Sequence, residues 1–357
     1  MTAVIETSAA PASRPVGGLQ TLKWLLKREL WEHRGGFVWA PLIAGIVSLC
    51  FTLLGGGMGQ YAMNRFGGKV MMVNGREIPL SQVDWNQLLA DASPEDLQQY
   101  GEAINLVTLM SSTWPLLVFA FVVFFYLLSS LYDERKDRSV LFWKSMPISD
   151  AQTVLSKLLT ALLVGPLIAL AITGLVMLAT GLMMSIFIAI NGGNPFNLYW
   201  SHLSPFKLFI GTFGWLPIYV LWALPTAGWL MLCSAWARRM PFLWAVMLPI
   251  FAGVAVSMVN GIVDAFGGTR GHVVGEWFWQ HIVLRALTGT WPGSHLLGYI
   301  GTPHLEQLPG NPDTLWQWDG LTTGLPLLAT PQLWIGALIG IAMIFAATRL
   351  RGWRDDA

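Results

Sequence analysis

The side chains most able to do acid–base or metal chemistry gather late in the chain. His272, His281, His295 and His304 share one segment with Glu276 and Glu306. Their intervals of 9, 14 and 9 residues match no zinc-ligand pattern. Interfacial or solvated histidines are the commoner outcome of such a scatter. H-E-x-x-H is absent, and Gly68-Lys69 is followed by Val70 without the glycine spacing of a phosphate-binding loop. Cys50 and Cys233 each lie in an apolar run and read as small core residues rather than a disulfide or a metal pair. The carboxylates between 84 and 102 form no spaced pair and read as solvating groups. The residues present therefore point away from an enzyme, from a metal and from a cofactor held by this chain.

The elements around these residues are membrane elements. Of 357 residues, 54% are hydrophobic and only 11% charged, which indicates an all-α polytopic membrane protein. A net charge of +1 gives no case for nucleic acid. Six spans are expected at about 37–57, 107–131, 158–190, 208–236, 241–263 and 331–348. Residues 1–19, rich in Ala, Ser and Pro, read as a disordered N-terminus, with 20–348 as one membrane domain and 349–357 as a cytosolic tail. None of the six spans contains Asp, Glu, Lys, Arg or His. Ion-coupled carriers need ionisable groups at depth, so this lack argues against them. A transporter with neither ion coupling nor its own nucleotide site needs an external motor.

Positive charge sets the orientation. With both termini in the cytosol, that side holds Arg14, Lys23, Lys27, Arg28, Arg34, Arg135, Lys136, Arg138, Lys144, Lys157, Arg238, Arg239, Arg349, Arg351 and Arg354, leaving six of the 21 for the other. Residues 20–34 read as an amphipathic helix, with Leu22, Leu25, Leu26 and Leu30 on one face and Trp24 and Trp31 nearly opposite. Ser93-Pro94-Glu95-Asp96 is a helix start within the first outer loop. The third span is too long for one straight crossing, and Gly165-Pro166 is the expected bend. Residues 276–287 suit a short helix resting on or re-entering the membrane before the last span.

The segment 132–157 interrupts the apolar runs. Six charged residues, Asp133 to Arg138, continue the second span into water, with Glu134 and Arg138 at i,i+4. Pro147 ends that helix, and Ser149 with Gln152 is a capping-box start for the next. Between them Val140, Leu141, Phe142 and Trp143 expose apolar surface. The segment reads either as a solvated loop or as a docking element for a soluble partner. In the fourth span Trp215, Trp222, Trp229 and Trp236 recur every seven residues, forming one stripe. The stripe suits an aromatic wall facing substrate, or lipid exposure and helix packing. Asn260, near the outer end of the fifth span, suits a contact across a dimer axis or with substrate.

The segment 132–157 resembles the first cytosolic loop of type-2 ABC exporter permeases. The likeness rests on Glu134, Arg135, Ser139, Val140 to Trp143, Pro147, Ile148, Ser149 and Lys157. Lys136 stands where that family often has a second Glu, and Arg138 where it has a Gly. The resemblance implies a coupling helix seated on an ATPase, with Glu134, Arg135, Ser139, Phe142, Trp143 and Pro147 carrying the coupling. It implies a permease subunit in a bacterial cytoplasmic (inner) membrane, paired with a second permease copy and with two copies of a separately encoded ABC ATPase. ATP and Mg would belong to that ATPase. Helix 20–34 would be the family's connecting helix, and Asn260 would neighbour the outer gate. The expected cargo is hydrophobic or amphiphilic. Two rivals stand beside this reading: a non-transporting transducer acting through 264–330, and a lipid-modifying enzyme built on the histidine segment.

Overall fold

Leucine spacing decides how the chain enters the molecule. In α1 (Gly18–Glu32) Leu25 and Glu29 turn inward while Trp24 and Trp31 face outward, as the leucine face predicts. The computed structural model describes residues 18–66, 70–73, 76–79, 85–90, 92–138, 148–203, 214, 216–266, 271–294 and 327–354. A π-helical turn, Gly35–Trp39, carries Phe37 into the core, and α2 (Ala40–Phe66) follows. β1 (Val70–Val73) and β2 (Arg76–Pro79) then pair antiparallel, Val70 opposite Pro79. The hairpin stands where the sequence pattern indicates only a polar loop. Its signal is Asn74-Gly75, the dipeptide most favourable to a two-residue hairpin turn, placed between the two strand segments.

Helices account for most of the rest. α3 (Trp85–Ala90) precedes α4 (Pro94–Ser112), whose N-cap Ser93 accepts from the Asp96 amide, the predicted start. α5 (Trp114–Ser129) continues the same apolar run, and the short α6 (Tyr132–Lys136) follows it. α7 (Asp150–Leu159) opens with the full capping box, Ser149 and Gln152 each bonding the other's backbone. A π-helical turn, Thr160–Val164, separates α7 from α8 (Gly165–Ile190), which places the irregularity of the third span one turn ahead of Gly165-Pro166. α9 (Leu216–Trp236) and α10 (Pro241–Ala265) follow, with Pro225 and Pro249 in their interiors. α11 (Gly271–Phe278), a π-helical stretch Trp279–Leu284 and α12 (Arg285–Thr288) form one rod. α13 (Pro331–Arg354) closes the described chain and stays helical beyond 348.

Six of these stretches are long and apolar enough to cross a membrane: Gly35–Ala62, Pro94–Lys136, Asp150–Ile190, Leu216–Trp236, Pro241–Ala265 and Pro331–Trp353. That is the layout of a multi-pass membrane protein. The second, third and fourth are more than half buried, whereas only 22% of the first and 17% of the fifth are. The core therefore lies around α5, where Phe119, Val123 and Leu127 meet Phe37, Ala161, Leu170, Tyr219 and Leu230. The tightest helix crossing is between α9 and α13. A Cβ at Gly228 or at Gly340 would strike the facing backbone, so these two glycines set how closely the helices approach.

The rod of α11 and α12 runs antiparallel to α10. Gly275 lies against Asn260, the Trp279 Nε1 donates to Ser257 Oγ at 2.8 Å, and Trp279 and Val283 sit on Gly253, the midpoint of α10. Beyond α12, Tyr219 Oη donates to the Thr290 carbonyl at 3.0 Å and Trp291 stands edge-on to Phe121 at 5.2 Å.

Candidate functional site

Glu29 is the starting point, because it is a carboxylate on the leucine face of α1 and is fully buried. Burial of a charge is costly without partners. Lys157 of α7 supplies one, its Nζ 3.2 Å from Glu29 Oε1, and Arg28 Nη2 lies 2.6 Å from the same oxygen. Tyr126 of α5 donates its hydroxyl to Glu29 Oε2 at 3.0 Å. Lys157 Nζ also pairs with Glu134 Oε1 of α6 at 3.1 Å. Arg351 of α13 pairs with Glu134 Oε2 at 3.0 Å and, through Nε, with Asp150 Oδ1 at 3.3 Å. Three carboxylates thus face three cations, and the cluster is neutral as a whole. It joins α1, α5, α6, α7 and α13 at one end of the bundle.

The electrostatics favour the ionised state of this cluster. Burial is the largest single influence on Glu29 and disfavours its charge. The Lys157 and Arg28 charges, with hydrogen bonds from Lys157 and Tyr126, outweigh it and hold the carboxyl below the ordinary range. Removing one member of a buried pair strands its partner, at a cost of about 3–5 kcal/mol. Exchanged as a whole for well-packed apolar side chains, such a cluster often costs no net stability.

Of the residues expected to couple, Glu134 stands inside this cluster. Arg135 lies beside it and ties the second span to the fourth, donating from Nη2 to the carbonyls of Ser234 at 2.6 Å and Ala237 at 2.9 Å. Ser234 Oγ accepts from the backbone amides of Leu131 and Tyr132. Ser139, Phe142, Trp143 and Pro147 lie outside the described residues. The two ends of their segment are both held by the cluster, Glu134 before it and Asp150 and Lys157 after it.

A second region lies farther along α13, away from Arg351. An apolar groove of ≈ 490 Å³ runs between α9, α10, α13 and the α11–α12 rod. Trp229 lines it and donates from Nε1 to the Ala245 carbonyl at 3.0 Å. Trp222 is buried beneath the Arg285 guanidinium, 3.9 Å from its ring centroid. Trp236 is exposed and edge-on to Trp244, and Trp215 is outside the described residues. The tryptophan stripe therefore does not form one uniform wall. Asn260 turns its amide towards Gly275 in a smaller pocket of ≈ 420 Å³ with Ser257, Asp264 and Glu276. Of the late histidines, His281 lines the groove, while His295 and His304 are outside the described residues. Among the described residues no group of three or more His, Cys, Asp or Glu is placed to hold a metal.

Sequence reasoning missed Glu29, Tyr126, Arg351 and Arg285 as site residues. Two of them carry a legible signal. Glu29 falls at i+4 from Leu25 and one residue before Leu30, squarely on an otherwise apolar stripe. Arg285 is the single permanent charge in an apolar stretch, 277–289. Arg351 and Tyr126 carry no such mark, since only the fold brings them to Glu134 and Glu29. Comparison with protein-family models, curated proteins and solved structures finds no match for this chain.

Proposed function

We propose that this chain is the permease subunit of an ATP-binding-cassette exporter, moving a hydrophobic or amphiphilic substrate outward with a separately encoded ATPase. It pairs with itself or a related permease, and segment 139–147 docks on the ATPase. The observation that carries the reading is the cluster of Glu29, Lys157, Glu134 and Arg351. Its partners clamp both ends of the docking segment and attach them to α1 and to the last span. A push on that segment would move α1, the second and third spans and the last span together, which is what rigid-body switching of a pathway requires. The six apolar helices, the absence of ionisable groups from their apolar runs and the cytosolic positive charge support the same reading.

The test is a mild-detergent pull-down of the tagged chain from native membranes, with mass spectrometry of the co-purifying proteins. A stoichiometric P-loop ATPase, lost in Phe142→Asp but retained in wild type, is the expected result. Recovery of no ATPase, in detergent that preserves other membrane complexes, would sink the reading. A retained outer-side protein with ATPase activity indifferent to added amphiphiles would point instead to a transducer.

A further inference from the structure

Arg285 is nine-tenths buried and pairs with no carboxylate among the described residues. Its Nη1 donates to the Gln332 carbonyl at 3.2 Å and its Nη2 to the Trp222 carbonyl at 3.4 Å, both neutral acceptors. Its Nε has no hydrogen-bond partner. The rod that carries it runs back along α10 past Gly253, and its guanidinium reaches the first turns of α13 at Gln332 and Gly336. A permanent cation buried among apolar helices is costly and marks a function unless an anion answers it. The small residue beside it is fitted to the guanidinium, since a Cβ at Gly336 would lie 2.5 Å from its nitrogens.

One turn earlier on the same rod, His281 stacks on Trp277 and bonds the Trp277 carbonyl through Nδ1 at 3.0 Å. Its Nε2 is likewise without a partner. Arg285 and His281 both line the ≈ 490 Å³ groove, whose other walls include Leu248, Ile335, Ile339 and Met343. The volume falls within the roughly 300–1,000 Å³ of ligand pockets. Leu248, Ile335 and Ile339 are also exposed on the outer faces of α10 and α13, so the groove is continuous with the surface that meets hydrocarbon.

We propose that this groove binds an anionic phospholipid from the surrounding bilayer. The phosphate pairs with Arg285 beside His281, and an acyl chain lies along Leu248, Ile339 and Met343. Charge complementarity selects the head group, and the apolar walls open to the bilayer select the tail. The inference holds whether or not the chain partners an ATPase.

Purified full-length protein in detergent would be titrated with phosphatidylglycerol, with phosphatidylcholine and with inorganic phosphate, and bound species counted by native mass spectrometry. The expected result is retention of phosphatidylglycerol about tenfold better than phosphatidylcholine, the scale of one charge-assisted hydrogen bond. Inorganic phosphate alone should not be retained. Arg285→Gln should abolish the preference. Because that variant could unfold, Ile339→Trp, which fills the groove from its exposed rim and keeps Arg285, should also lower phosphatidylglycerol binding at least severalfold. Equal retention of the two lipids, undiminished phosphatidylglycerol binding by Ile339→Trp, or equal retention of free phosphate would each overturn the proposal.

Discussion

Lys157 bridges Glu29 and Glu134, with its own side chain only 4% exposed. Lys157→Met should therefore strand two buried carboxylates and lower stability by about 3 kcal/mol or more, read as a fall in apparent melting temperature in detergent. Adding Glu29→Gln should restore part of the loss, because an apolar or neutral pair is cheaper to bury than half an ion pair. Acid should act in the same direction. The Glu29 carboxyl is held below its ordinary value of 4.5, so its contribution is full above pH 4.5 and fades as pH falls towards the lower folded value. The melting-temperature gap between wild type and Glu29→Gln should be constant from neutral pH down to about 5 and narrow below 4.5. A gap that widens on acidification would contradict the assigned ionisation.

Much of the element pattern was legible. The leucine face of α1, the caps at Ser93 and Ser149 and the irregular third span all follow from local chemistry, which acts within a turn or two. The charge cluster was not legible as a site, although Glu134 and Lys157 were singled out. Apart from neighbouring Arg28 and Glu29, its pairs join separate helices, and only packing brings Arg351 to Glu134. Glycine positions divide on the same principle. Gly340→Leu should force α9 and α13 apart and cost about 1–3 kcal/mol, whereas Gly57→Ala meets nothing within 4 Å in α2 and should stabilise by about 0.5–1 kcal/mol. Thermal unfolding of the two variants side by side checks both signs. Ser149→Ala, which removes the capping box of α7, should cost about 1 kcal/mol.

For the whole molecule, six crossings, an even number, would place both described ends on one side. Cysteines introduced at Leu19 and Trp353, both largely exposed, should resist a membrane-impermeant maleimide in intact cells and react once the cells are opened. A cysteine at Glu95, in the exposed first turn of α4, should react in intact cells. Labelling of all three from outside would break the topology.

The junction of Glu134 with Arg351 also has a temporal meaning. A ribosome makes Glu134 and Asp150 long before it makes Arg351. Until the last helix is inserted, both carboxylates lack that cation. The half-made protein would hold Glu134 through Lys157 but not Arg351, and the final helix would close the cluster. Chains cut after Leu350 would keep most of the last apolar helix yet never bring Arg351 to Glu134.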